Sequence, residues 1–307
     1  MADQFTIKYI TRDSIDTAKW DRCIDTASNG LIYTYSLYLD QMAKQWDALV
    51  LNDYEAVMPV TWNKKYGIAY LNQPFLTAQL GVFGKNISPE IVEAFLDAIP
   101  SEFKYWDLYL NHKNVFSLKN FDLYQRSNYV LDLNGSYERI YKGYRENIVR
   151  NIKKAEQTGC SPGKDFDVEK VIDLAVLQMK TYSNESKENV SRFRNLYKKL
   201  HDKQQAITYG IFSKKNELLS SCVFFFSHNR AYYILVGNHP DGRTLGASHA
   251  LIDAFIKDHA GKNMLLDFEG SDIRNLAFFY SSFGATEEKF AGIKLNRLPF
   301  YLKWLKK

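Results

Sequence analysis

An α/β fold of the α+β kind, with two tandem units whose mixed, mostly antiparallel sheets are flanked by helices, is predicted by three observations. Segments of strand and helix periodicity alternate, yet several strands follow one another across short polar turns. The 307 residues suit two domains of ordinary size, each with enough chain to bury a core. Asn134-Gly135-Ser136 forms the clearest turn, between a strand and a long helix, and places the domain change near 134.

Before that turn, helical spacing of apolar residues predicts helices over 14–26, 35–44 and 88–99. Runs of β-branched and aromatic residues predict strands over 46–51, 56–62, 67–71, 81–84, 106–111 and 129–133, with Gln73-Pro74 as a break. After the turn, helices are expected over 137–158, 168–182, 189–203, 246–260 and 273–283, and strands over 207–213, 218–227, 230–237, 264–269 and from 287. The domains are accordingly 1–133 and 134–296. No repeat period or low-complexity segment is visible, which excludes a solenoid, while the two halves remain candidates for distant structural duplicates.

Composition narrows the class. Apolar residues at 46% and charged residues at 24% are globular values, and 20 Phe, 21 Tyr and 5 Trp point to aromatic-lined cores or clefts. A net charge of +5 is too small and dispersed for DNA binding, and a mildly anionic ligand accounts for it. Cys23, Cys160 and Cys222 have neither disulfide nor zinc spacing, which points to reduced thiols in the cytoplasm. The first residues lack a signal core, and no apolar run approaches the roughly 20 residues that span a bilayer. Residues 298–307 mix aromatics with lysines, so they either pack with snorkelling lysines or make peripheral contact with an anionic membrane. The six histidines contain no His-x-x-x-His pair, so no metal is expected, and no Gly-x-Ser-x-Gly elbow occurs. His249 is expected to be a hydrogen-bonded structural histidine.

The densest chemistry lies in 266–285. On a strand over 264–269, Asp267 and Glu269 share one face about 6.5 to 7 Å apart, with Leu266 and Phe268 on the other. Ser271 or Asp272 can cap a helix whose Leu276, Phe279, Tyr280 and Phe283 recur at helical spacing until Gly284. The acids either cap that helix and pair with a base such as Arg274, or supply a general base. Tyr280 is either a core aromatic or a proton donor.

Upstream, a strand ending in Leu235-Val236-Gly237 runs through 238–245 into a helix start at Gly246-Ala247-Ser248. Backbone N–H groups at a helix N-terminus bind phosphate, glycine permits close approach, and Arg243 adds a mobile cation. The alternative is that Gly242 makes a turn and Gly246 eases packing. The helix over 137–158 has an apolar face of Ile140, Tyr144, Ile148, Ile152 and Ala155 and a polar stripe of Asn147, Arg150, Asn151 and Lys154. That stripe is either a solvated face or, with Arg145, a contact for an anionic acceptor.

Arg243-x-x-Gly246-Ala247, with Ser248 in place of the last small residue, resembles the pyrophosphate loop of the GCN5-related N-acetyltransferase (GNAT) fold, Gln/Arg-x-x-Gly-x-Gly/Ala. Tyr280-x-x-x-Gly284 resembles that superfamily's late helix, whose tyrosine protonates the leaving thiolate. Residues 145–159 are similar to the Arg-Asn-Ile-x-Lys-Ala-Glu-x-x-Gly segment of Fem-like peptidyltransferases and related acyltransferases, matching at Arg150, Asn151, Ile152, Lys154, Ala155, Glu156 and Gly159. The resemblance implies two GNAT-like domains, with 297–307 returning to the first. It implies an acyl-CoA or aminoacyl-tRNA donor, held at its phosphates by Arg243, Thr244, Gly246, Ala247 and Ser248 and along its arm by Leu235, Val236 and Gly237. Glu269 with Asp267 would serve as base and Tyr280 as acid, and Arg145, Arg150 and Lys154 would meet a small-molecule or cell-envelope amine. No heptad arm like that of some Fem proteins is present over 160–206, which favours acyl-CoA over transfer RNA. The alternatives are aminoacyl-tRNA-dependent transfer in peptidoglycan synthesis, or a non-catalytic ligand-binding module on the same fold.

Overall fold

The structure is a computed structural model that describes residues 6–180, 187–270, 272–300 and 302. The elements in chain order are β1 (Ile7–Ile10), α1 (Thr17–Thr26), α2 (Ser36–Met42), β2 (Gln45–Leu51), β3 (Ala56–Lys65), β4 (Ile68–Asn72), β5 (Phe83–Gly84), α3 (Pro89–Asp97), β6 (Tyr105–Tyr109) and β7 (Leu123–Asp132). There follow α4 (Tyr137–Lys142), α5 (Glu146–Gln157), β8 (Ser161–Lys164), α6 (Val168–Lys180), α7 (Lys187–Asp202), β9 (Ala206–Phe212), β10 (Leu218–Ser227) and β11 (Arg230–Asn238). The last are α8 (Pro240–Leu245), α9 (Ala247–His259), β12 (Leu265–Asp267), α10 (Arg274–Ser281) and β13 (Thr286–Asn296). The chain forms two compact units, one of residues up to Arg126 and from Lys289, the other of Ser127–Glu288.

In the first unit the strands run in the order β1-β2-β3-β4-β6-β13, with β5 beside β3. Every pairing is antiparallel except β4 with β6. Helix α1 begins where Asp16 accepts the Ala18 and Lys19 N–H groups, and its Trp20, Cys23 and Ile24 recur at helical spacing to face inward. Leu49, Val60, Phe95, Trp106 and Ile293 lie in the core.

The second unit repeats the plan, with strand order β7-β12-β11-β10-β9-β8 and one parallel pair, β11 with β12. Successive side chains of β10 serve opposite faces, as a strand period of two requires. Phe224 stacks on Phe255 of α9, centroids 3.6 Å apart, and Phe225 stacks on Phe193 of α7 at 5.8 Å. Helices α4 and α5 join α9 on its face through Ile140, Ile148 and Ile152, and Tyr137 Oη donates to Asp253 of α9 at 3.0 Å.

Several expectations are corrected. The turn at 134–136 lies inside the second unit, because Leu131 and Leu133 belong to its core. The stretch from Lys289 belongs to the first, where Gly292–Asn296 pair with β6. Arg297 donates its N–H to Lys104 O, and its guanidinium lies 5.4 Å from the Trp106 ring centroid. The single helix over 137–158 is two, since Gly143 caps α4 and Ser136 starts it. Strands β1 and β8 carry no alternating pattern, and β8 reads Ser-Pro-Gly-Lys. On α10, Leu276 is exposed rather than packed with Tyr280 and Phe283. Ser271 and most of 298–307 lie outside the described residues.

Candidate active site

The two strands of the parallel pair in the second unit part company. Register runs from Arg230 opposite Leu265 to Tyr232 opposite Asp267; β11 then continues to Asn238, while β12 ends at Asp267 and the Phe268 backbone stays bonded, among the described residues, only to Tyr129 of β7. On its far side β11 carries a bulge. Ile234 opposes Val223 but Gly237 opposes Ser221, and Leu235 has φ +49°. A left-handed leucine costs roughly 1 to 3 kcal/mol, and the extra residue drops backbone groups out of the ladder. Leu235 is buried and Val236 half-buried. Gly237 is needed by packing: a Cβ there would stand 2.6 Å from the Ala175 nitrogen of α6.

The 238–245 loop is largely helix. Pro240 takes the first helical position of α8, where its fixed φ suits the helix and its missing N–H leaves nothing unpaired, and His239 Nδ1 accepts the Asp241 N–H at 3.3 Å. Thr244 lies within α8 with its hydroxyl on Asp241 O, and Arg243 is exposed. Gly246, at φ +77°, ends α8 and caps α9, whose first N–H groups, those of Ala247 and Ser248, have no intrahelical acceptor. A Cβ on Gly246 would lie 2.4 Å from Asn151 O of α5. Gly246→Ala is therefore expected to cost about 2 to 5 kcal/mol, from the left-handed backbone and the collision together, in urea unfolding.

Ser248 Oγ donates to Asn238 Oδ1 at 2.6 Å, Ser220 Oγ donates to the same oxygen at 2.8 Å, and the Asn238 N–H donates to Gln178 Oε1 at 2.7 Å. Arg150 and Lys154 are exposed on α5, on the flank that carries Asn151 against the α8–α9 junction. Arg145 caps α5, and its guanidinium lies 4.8 Å from the Phe278 ring centroid on α10. The three predicted acceptor residues are thus divided between two places.

Asp267 and Glu269 do not share a strand face, because β12 stops at Asp267 and Glu269 turns left-handed at φ +61°, followed by Gly270 at +91°. Asp267 is buried and fully engaged. Its Oδ2 accepts from Arg230 at 2.6 Å, and its Oδ1 accepts from Asn128 at 2.9 Å and from the Glu269 N–H at 2.7 Å. Arg230 also holds Glu288 through two nitrogens, at 2.9 and 2.8 Å. Burial opposes the Arg230 charge, but Asp267 and Glu288 outweigh it and raise its pKa. Asp267 is therefore a scaffold acid, and its partner is Arg230 rather than Arg274.

Glu269 is half-buried. Tyr280 is buried on α10, its ring stacked on Phe268 with centroids 4.5 Å apart, and no described group hydrogen-bonds its hydroxyl. Its pKa is raised by burial first and by the Glu269 charge second, which places the two groups in one electrostatic environment.

His249, in the first turn of α9, meets Phe279 edge-on at 5.0 Å, and its buried Nδ1 has no partner among the described residues, against the hydrogen-bonded state expected. Burial lowers its pKa from 6.5 to about 4. The unfolded chain thus binds the proton more tightly, and stability should fall as pH drops through 6.5 and level off below about 4. The loss is about 3 kcal/mol in all. Denaturant midpoints measured across that range should lose this slope in His249→Phe.

Beyond the parallel pair of β4 and β6 in the first unit, Gln73 Oε1 accepts the Tyr109 N–H at 3.1 Å, and Leu80 N–H donates to Tyr109 O at 2.7 Å. Among the described residues no group of three His, Cys, Asp or Glu is placed to hold a metal, and no helix is long and apolar enough to cross a membrane. Sequence reasoning missed Arg230, Asn128 and Asn238; an arginine opening an apolar strand and an asparagine closing it were the available signals.

No family model matches the chain, and no curated protein matches it in sequence. Solved structures do. FemX superposes with a TM-score of 0.64 at 13% identity, covering 97% of this chain and 99% of its own. A conserved protein of unknown function from Bacteroides thetaiotaomicron gives 0.59 at 10% identity, covering 95% and 99%. The C-terminal domain of a proposed lysylphosphatidylglycerol synthetase from Agrobacterium fabrum gives 0.54 at 8% identity, covering 92% of each chain. The chain shares its fold with FemX and with that synthetase domain.

Proposed function

We propose that the second unit transfers an acyl or aminoacyl group from an activated ester, best an acyl-CoA, to an amine of a small-molecule or cell-envelope acceptor. The observation that carries this reading is the divergence of β11 from β12 beyond Tyr232, beside the bulge at Leu235 and next to the N-terminus of α9. Unpaired strand edges bind extended amide chains, and helix N-termini bind phosphate. Pantetheine would lie along 235–237, with the Ala247 and Ser248 N–H groups, Arg243 and the Arg150–Lys154 flank toward the phosphates.

Glu269 takes the proton of the attacking amine, directly or through one water. The amine lone pair forms the new C–N bond, the carbon–sulfur bond breaks, and its electron pair leaves on sulfur. Tyr280 faces that sulfur. With a phenol pKa above the ordinary value of about 10 and a thiol near 8.5, complete transfer from Tyr280 is uphill, so its part is a hydrogen bond to the developing thiolate. Once Glu269 is protonated its charge no longer raises the phenol's pKa, so taking up the amine proton makes Tyr280 a better hydrogen-bond donor to the thiolate.

Calorimetric titration with coenzyme A and acetyl-coenzyme A tests the donor. Micromolar binding is expected, and binding of neither would move the donor to aminoacyl-tRNA. Gly246 is not the position to mutate for this purpose, since its substitution disturbs the α5 contact.

A further inference from the structure

We propose that the second unit carries a further binding site, for a free amino acid or dipeptide in its zwitterionic form, in a cavity of about 710 Å³ bounded by the ends of α7 and α9 and by β8 to β10. The cavity lies at the other end of the sheet from the transfer site. Phe226, near the end of β10, pairs with Ala231 at the start of β11, and α9 runs from Ala247 to His259, roughly 18 Å, between the two places. Its volume is that of a small-molecule site, and it does not depend on the donor reading.

One wall is aromatic. Phe226 and His259 are half-buried with their rings nearly parallel, centroids 6.0 Å apart, and Phe255 stacks on His259 at 4.1 Å. His259 Nδ1 lies 2.9 Å from Phe255 O, and a carbonyl can only accept, so the proton of the neutral ring is on Nδ1 and Nε2 is an acceptor. No described group donates to it. Burial lowers the His259 pKa from 6.5 and the Lys262 charge acts in the same direction, which keeps the ring neutral at pH 7.

The charges around that wall select the ligand. Lys164 pairs with Asp258 Oδ2 at 3.2 Å, the Tyr209 hydroxyl donates to the same oxygen at 2.8 Å, and His201 Nε2 lies 2.9 Å from Asp165 Oδ1. Two opposite charges are left over. The side chains of Asp202, which closes α7, and Lys262, just past α9, have no hydrogen-bond or ion-pair partner among the described residues. A ligand satisfies both only if it carries both signs, its ammonium toward Asp202 and His259 Nε2 and its carboxylate toward Lys262. A singly charged ligand would be repelled by one of the two, and the aromatic wall favours a flat, apolar side chain.

Titration of the full chain with L-phenylalanine and with glycyl-phenylalanine, followed by amide chemical shifts at neutral pH, tests the site. At least one should bind with a Kd of about 0.1 to 1 mM and shift amides over 202–207 and 259–262. Phenylpropionate, which lacks the amine, and phenethylamine, which lacks the carboxylate, should each bind about 10-fold more weakly. Asp202→Asn should cost the zwitterion about 5- to 10-fold without weakening phenylpropionate, and Lys262→Gln should do the same without weakening phenethylamine. Both positions are exposed, so the thermal midpoint should stay where it is in either variant. The assignment would be overturned by the absence of saturable shifts with both zwitterions, by shifts confined to other segments, or by equal affinity for the singly charged analogues. Unchanged binding in both variants would overturn it as well. None of these results bears on coenzyme A binding, which tests the donor reading alone.

Discussion

Leucine in place of Arg230 is expected to lower the unfolding free energy of the second unit by about 3 to 5 kcal/mol at neutral pH. Side-chain exposure is 7% for Arg230, 2% for Asp267 and 17% for Glu288, so removing the guanidinium strands two carboxylates in a poorly solvated space. The penalty comes from uncompensated charge more than from the lost bonds. Acidification should recover part of it, because the stranded acids then take up protons, and Arg230→Lys should fall between, since an ammonium cannot reproduce the fork. All five tryptophans lie outside 127–288, so fluorescence follows the first unit; hydrogen exchange at β11 and β12 follows the second. A loss below about 1 kcal/mol would mean that the triad is dispensable.

Glu269→Gln should reduce turnover by about 10² to 10⁴ while leaving the fold and coenzyme A affinity in place. Glutamine keeps the shape and the backbone N–H that Asp267 holds, and loses only the ability to take a proton. A second reading does not need the acceptor to be known. Because the Glu269 charge helps hold the Tyr280 phenol protonated, that phenol should ionise at lower pH in the variant, visible in an ultraviolet difference titration. Full activity in Glu269→Gln would remove Glu269 from the chemistry.

The long periodic segments were legible in the sequence. Helices α6, α7 and α9 and strands β9 to β11 stand close to where the sequence put them, because the helices carry apolar residues at helical spacing and the strands are short apolar runs, β10 and β11 buried on both faces. The site was legible in its residue types but less so in its geometry. Asp267 and Glu269 alternate in sequence as though on one strand, and only the left-handed turn at Glu269 separates scaffold acid from candidate base. The bulge at Leu235 has no local signal, since leucine disfavours that backbone and tertiary pairing imposes it. Arg230 and Asp267 lie 37 residues apart, and their pairing exists only once β11 and β12 are side by side.

The split of the first unit sets an order of assembly. Its sheet closes through Gly292–Asn296 on β6, and Ala291 and Ile293 complete its core, but those residues follow the whole of Ser127–Glu288 in the chain. A ribosome therefore delivers every residue of the second unit before the first can acquire its last strand. The first unit can therefore be completed only after the whole of the second has been synthesised, and until then β6 is unpaired on one edge.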